Sequence, residues 1–178
     1  MATVSPRSGL PRWPLWVALL LVLALVVGVL IAAAVIRNQE LEPLALAPVP
    51  APAASSPECT RLLAALPRTL DGGELGALPR RRLVAPAPAG AAAWGEPPVV
   101  MRCGLDRPAE LTPSSGLLSV SGVQFLQIPS PGASTWVAVD RPVYVVVALP
   151  ATSGSGPLQQ IAEVIAGTLP SKDIALGR

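Results

Sequence analysis

Residues 15–36 read LWVALLLVLALVVGVLIAAAVI, twenty-two positions without one charged side chain. A helix of that length rises roughly 33 Å, enough to cross the about 30 Å hydrocarbon core of a bilayer. A chain that carries such a segment is expected to be inserted in or exported across a membrane, and that sets the chemistry open to the remainder. The competing reading is a cleaved secretory signal, whose apolar core usually runs about 7–15 residues. Here Ala32 and Ala34, the small residues a peptidase would need, fall inside the apolar run. A second A-x-A, Ala45 and Ala47, is followed directly by Pro48, which hinders cleavage. Retention as a single-pass anchor is therefore expected, with secretion as the alternative if the segment is cleaved. A lipoprotein is disfavoured, because Ser56-Pro57-Glu58 ahead of Cys59 is not a small apolar lipobox.

The flanks set an orientation. Arg7 and Arg12 precede the run, whereas Arg37 follows it together with Glu40 and Glu42. The Lys/Arg bias predicts a cytoplasmic N-terminus and an extracytoplasmic C-terminal domain. Trp13 and Trp16 suit the headgroup level, and Pro14 falls at the first turn, where a helix tolerates it. Ala24, Gly28 and Ala32 recur every fourth residue on one face. Such a stripe permits close helix packing, hence self-association or docking of an envelope protein partner, although small residues are common in anchors.

Four segments follow: a cytoplasmic tail over 1–14, the anchor over 15–36, a Pro/Ala-rich linker over 37–57 and an exported domain over 58–178. The linker contains LEPLALAPVPAPAASS, which predicts a semi-extended polyproline spacer without a core of its own. At about 3.1 Å per residue it would hold the domain off the membrane. The domain's 121 residues suffice for one small core. From Glu58 onward ten basic residues face nine acidic ones, so no field favours nucleic acid, and membrane lipid around the anchor is the expected non-protein partner. Twelve of the thirteen basic residues are Arg, and Ala and Pro abound, which reads as a GC-rich genome more than as function.

Cys59 and Cys103 are the chain's two cysteines and lie on the same side of the anchor. In an oxidising compartment such a pair is most simply a disulfide, and closing this loop would stabilise the fold by about 4 kcal/mol in the chain-entropy model. A redox or metal site would need a closer spacing or further ligands.

Ser56-Pro57-Glu58 supplies a cap, a first-turn proline and an acid at a helix start. Cys59, Leu62, Leu63 and Leu66 then repeat on one helical face until Pro67. The stretch through Asp71-Gly72-Gly73 to Gly90 is ambiguous, and Pro86 and Pro88 forbid a helix in it. From Pro98 the pattern turns to strand, with Val99, Met101 and Cys103 alternating against Val100 and Arg102 until Gly104. Residues 117–120 and 123–128 flank Ser121-Gly122 as a tight hairpin. Residues 135–139 and 142–149 form another pair, broken at Asp140-Arg141, and the run VYVVVAL predicts a central strand buried on both faces. Pro157 opens a helix with Leu158, Ile161, Ala162 and Ile165 on one face, ending at Gly167. The expected class is α+β: a single N-terminal transmembrane helix, then a small, mainly antiparallel sheet with two short helices.

The chain has no histidine, which removes Ser-His-Asp, Cys-His and His-metal chemistry. A Ser/Lys hydrolase needs a buried lysine, and the sole lysine, Lys172, lies in a polar tail. Carboxylates such as Glu96 and Asp106 exist, but nothing in the sequence sets them at a catalytic spacing. No metal and no cofactor is expected. Arg102, on the strand face opposite Met101 and Cys103, could stack beside Trp94 or bind an anion, against the plainer expectation that it pairs with Asp106 or lies on the sheet. Arg80-Arg81-Arg82 could touch anionic headgroups or a phosphate-bearing wall polymer, but is shorter than a dedicated polybasic patch of about 4–8 residues, so a charged surface turn is the stronger reading. Any pocket is expected to be small and lined by Trp94, Val99 and the 135–149 hairpin, with Arg102 its nearest charge.

The string Trp94-Gly95-Glu96-Pro97-Pro98-Val99-Val100-Met101-Arg102-Cys103-Gly104 resembles the signature of an uncharacterised actinobacterial family of small secreted or membrane-anchored envelope proteins, known as a domain of unknown function. A cysteine in the first domain helix, a strand containing Tyr144 ahead of a proline and a late amphipathic helix agree with it over residues 59–169. The resemblance implies a location and a fold, and no activity. The function expected is that of a non-catalytic binding or assembly-accessory module at the cell envelope. The alternative is an envelope hydrolase or transferase acting on cell-wall material without histidine.

Overall fold

The computed structural model describes residues 13–37 and 41–175. Arg7, Arg12 and Glu40, which carry much of the orientation argument, lie outside the described residues. The chain forms two units, divided after Glu40. The first contains helix α1, Trp13–Arg37, with Pro14 in its first turn. Its Trp16–Ala33 window is long and apolar enough to be a candidate span, as an anchor or a signal-like segment, and none of it is buried. Ala24, Gly28 and Ala32 are all exposed on it, and a side chain added at Gly28 would meet nothing within 4 Å.

The second unit begins at Leu41. Helix α2, Pro57–Ala65, starts as its cap sequence dictates: the Cys59 N–H donates to the Ser56 hydroxyl at 3.3 Å, and Pro57 occupies the first turn. It buries Cys59 and Leu62. The stretch that was ambiguous in sequence forms a two-stranded antiparallel ladder, β1 (Thr69–Asp71) with β2 (Ala77–Pro79), around a short 3-10 turn. Six further strands make one antiparallel sheet: β3 (Ala91–Trp94), β4 (Val99–Leu105), β5 (Leu117–Val120), β6 (Val123–Ser130), β7 (Ala133–Ala138) and β8 (Tyr144–Pro150). Their spatial order is β3-β4-β8-β7-β6-β5. Ser121 and Gly122 both take positive φ, 47° and 76°, which gives the β5–β6 hairpin the backbone hand that matches strand twist. Helix α3, Gly156–Thr168, closes the fold one residue beyond the expected Gly167.

The run VYVVVAL is central, as expected, but its two faces are not equally buried. Val145, Val147 and Leu149 are buried, whereas Tyr144, Val146 and Ala148 are half-buried. The physical reason is coverage. The first face, with Val99, Met101, Cys103 and Phe125, shares one core with α2 and α3 residues such as Leu62, Ile161 and Ile165. The second meets only a smaller cluster of Leu111, Leu126, Val137 and Val139, joined by Ile174 of the C-terminal segment. Cys59 and Cys103 form a disulfide across the first face, with Cα atoms 5.6 Å apart, tying α2 to β4.

One expectation is overturned. The segment read as a free spacer is folded into the second unit as a strap. Leu44 forms a parallel bridge with Leu83, its N–H donating to the Arg82 carbonyl at 2.8 Å while the Val84 N–H donates to the Leu44 carbonyl at 3.0 Å. Further along, the Ala53 N–H donates to the Gly104 carbonyl at 3.0 Å, and Ala54 is buried. A polyproline backbone makes no internal hydrogen bonds, so its carbonyls stay open to outside donors, and here the domain supplies them. A strap used in this way gives no reach.

Candidate functional site

Two of the arginines considered as a binding surface, Arg81 and Arg102, hold the strap. Arg81 lies with its side chain only 7% exposed. Its Nε and Nη2 donate to the Glu42 carbonyl at 3.2 and 2.6 Å, and its Nη1 donates to the Gly95 carbonyl at 3.3 Å and pairs with the Glu96 carboxylate. Arg102 Nη2 donates to the Ala47 carbonyl at 2.8 Å. Partial burial pushes the Arg102 pKa down, yet guanidinium titrates so far above neutrality that it stays charged. Arg82 is exposed and contributes its carbonyl to the strap bridge. Arg81 is thus engaged within the fold rather than displayed on a charged turn. Glu96, considered above as half of a carboxylate pair, is engaged by Arg81.

The stack considered for Arg102 with Trp94, the less favoured of its two readings, is made instead by Arg80, whose guanidinium carbon lies 5.7 Å from the Trp94 ring centroid. Register explains the exchange. In the β3–β4 hairpin Trp94 stands opposite Val99, whereas Arg102 stands opposite Ala91 at the other end. Trp94 itself is fully buried and its Nε1 donates to the Pro67 carbonyl at 3.0 Å. It is a core residue that locks the end of α2, and Val99 is buried beside it in the same core.

The pocket expected around Trp94 and Arg102 is therefore filled by core. Two such concavities among the described residues lie elsewhere. One, of about 300 Å³, retains part of the expected hairpin: Ser134, Trp136 and Leu149 face Ser155, Leu158 and Gln159 at the start of α3. Trp136 is held there by a 2.9 Å hydrogen bond from its Nε1 to the Ser134 hydroxyl and by an edge-on contact with Phe125 at 6.3 Å. The other, of about 490 Å³, is an open groove between the strap and the Pro/Ala tract over 84–89. Its walls carry only Ala, Leu, Pro and Val side chains. Val49 and Val84, on opposite walls, are 43% and 45% exposed. Neither concavity is lined by a carboxylate, amine, imidazole or thiol. Among the described residues no group of three or more His, Cys, Asp or Glu is placed to hold a metal.

Sequence reasoning also missed a buried ion pair. Asp140 and Arg141, read as a strand break, meet at 2.8 Å, and Arg141 Nη2 donates to the Gly122 carbonyl at 2.9 Å. The pair ties the β7–β8 loop to the β5–β6 turn, with the Lys172 N–H donating to the Asp140 carbonyl at 2.8 Å. Adjacent opposite charges in a turn look like a solvated loop, and here the β5–β6 turn and the C-terminal segment both return to meet them. Trp136 could have been singled out from its alternation with Ser134 and Ala138, which sets all three on one strand face.

The model of a protein family described as "Protein of unknown function (DUF3515)" matches residues 19–174, from within α1 to the C-terminal segment. No curated protein and no solved structure matches the chain.

Proposed function

The chain belongs to the DUF3515 family of proteins of unknown function, and we propose that it is a membrane-anchored, non-catalytic binding or assembly-accessory module of a bacterial cell envelope. In this reading α1 spans the membrane with its N-terminus cytoplasmic, and the disulfide-bonded domain faces outward. The observation that carries it is the lining of these concavities, which offers the hydroxyls of Ser134 and Ser155 but no acidic or basic side chain to activate them. The Cys59–Cys103 disulfide supports an oxidising location. Arg81 and Arg102 are committed to strap carbonyls, which argues against an anionic polymer as ligand at those positions. Partners are then membrane lipid around α1 and a protein, or a second copy, packed where Ala24, Gly28 and Ala32 allow the closest approach.

The test uses the full chain. A phosphatase reporter fused after Arg178 is expected to be active outside the cytoplasm and to stay with membranes after a carbonate wash. Purified protein is expected to leave a cell-wall precursor unchanged. A reporter active only inside would sink the topology, and turnover abolished by Glu96→Gln or Asp106→Asn would replace the binding reading with an enzymatic one.

A further inference from the structure

The groove between the strap and the 84–89 tract has fixed walls and an unsatisfied surface. Its strap wall is pinned from both ends, by Arg81 on the Glu42 carbonyl, by Arg102 on the Ala47 carbonyl and by Gly104 on the Ala53 N–H. At Gly104 the approach is so close that a Cβ would lie 2.3 Å from the backbone of Ala53 and Ala54. Between these pins the chain presents Leu46, Pro48 and Val49 against Val84, Pro86 and Pro88. A polar ligand would lose its water there and gain no side-chain hydrogen bond. A proline-rich peptide would find none of the aromatic rings that recognise polyproline. A hydrocarbon chain, by contrast, gains about 0.8 kcal/mol for each methylene it buries. The volume of about 490 Å³ falls within the range of small-ligand sites, about 300–1,000 Å³.

A source of hydrocarbon is close along the chain. The strap's first described residue, Leu41, follows the last residue of α1, Arg37, by four positions. That length of backbone extends at most about 14 Å. We propose that the groove takes a single acyl chain of a membrane lipid, held between Val49 and Val84. The inference rests on the anchoring of α1 in a membrane.

Full-length protein in phosphatidylcholine vesicles would be irradiated with either of two photoactivatable lipids, one bearing a diazirine near the end of its acyl chain and one bearing it on the headgroup. Adducts would be mapped by mass spectrometry. The tail probe is expected to label both α1 and the groove segments 45–54 and 84–89, and to label the groove at least fivefold more than the headgroup probe does. Val84→Trp, which fills the groove from an exposed position, is expected to cut groove labelling at least fivefold and leave α1 labelling unchanged. Val84→Glu is expected to do the same by charge, and an unchanged melting temperature would show that the fold survives. Labelling of α1 without labelling of the groove would overturn the inference and leave the anchor intact. Absence of label from α1 would overturn the anchor itself. Headgroup labelling equal to tail labelling in the groove would mean surface contact instead of chain uptake. Strap-to-strap links between copies, formed by a photo-cross-linking side chain that needs no amine or carboxylate and is placed at Val49 in a parallel sample, would assign the groove to a second protomer. Either result overturns the proposal.

Discussion

Gly104 explains why a short string in this sequence is so particular about its residues. It takes φ +84°, and any Cβ there would meet the strap backbone at 2.3 Å. Its neighbours divide the remaining work: Cys103 holds α2, Arg102 holds Ala47, Glu96 pairs with Arg81, and Trp94 closes the end of α2. Gly95, at φ +68°, lies where a Cβ would meet Leu78 at 2.6 Å. The string records packing and strap attachment. From the sequence alone the alternation of Val99, Met101 and Cys103 was readable, because period two needs no partner to be recognised. The role of Arg102 was not, because its acceptor lies fifty-five residues upstream. Gly104→Ala is expected to cost about 1–3 kcal/mol from the left-handed backbone alone, with the strap clash added. Thermal unfolding should show the melting temperature falling by roughly 5–10 °C, and a fall under about 2 °C would mean the strap moves aside without penalty.

The elements that sequence patterns foretold are those whose hydrogen bonds are local or paired through a tight turn. Helices α2 and α3 and the β5–β6 hairpin are of this kind, with caps, 3.6-residue spacing and a Ser-Gly turn written into adjacent positions. The strap, β1, β2 and β3 are of the other kind. They are three- or four-residue strands, too short to show a period, or a segment rich in Ala and Pro that carries none. Each of these strands has a local hairpin partner, but the bonds that join the hairpins to one another cross between segments, as with the Arg81 N–H to the Ala93 carbonyl at 2.8 Å and the Gly95 N–H to the Pro79 carbonyl at 2.9 Å. The three-arginine run sits at the junction of these short strands, which is why it could be read only as charge. Arg81→Ala removes a buried guanidinium from the Glu42 carbonyl, a charged hydrogen bond worth about 1.5–3 kcal/mol. Exchange of the Leu44 amide, which donates to the Arg82 carbonyl, is expected to accelerate about 10- to 100-fold. Arg81→Lys should restore part of the protection, since one ammonium cannot reproduce the fork that reaches Glu42, Gly95 and Glu96 together. Unchanged exchange in Arg81→Ala would remove the clamp from the account.

Taken whole, the second unit is a sheet whose two faces are closed by its own ends. The disulfide and the two helices seal one face, while the C-terminal segment reaches the other through Ile174 and through Arg107 Nε, which donates to the Ala175 carbonyl at 3.1 Å. The strap completes the same unit from the N-terminal side, so the folded domain begins at Leu41 and not at Glu58. A soluble fragment of residues 58–178 should therefore be less stable than one of residues 41–178. The shorter piece loses the Ser56 cap of α2, worth about 1 kcal/mol. It leaves Arg81 and Arg102 without the Glu42 and Ala47 carbonyls and the Gly104 carbonyl without the Ala53 N–H. Hydrogen bonds to charged groups contribute about 1.5–3 kcal/mol each, although losses that share one segment do not add fully. A deficit of at least about 3 kcal/mol is expected, which lowers the melting temperature by roughly 10 °C in a domain of this size. Paired calorimetry of the two fragments, both with the disulfide formed, measures it. Equal melting temperatures would mean that the strap rests on the domain without stabilising it, and would return residues 41–56 to the role of spacer.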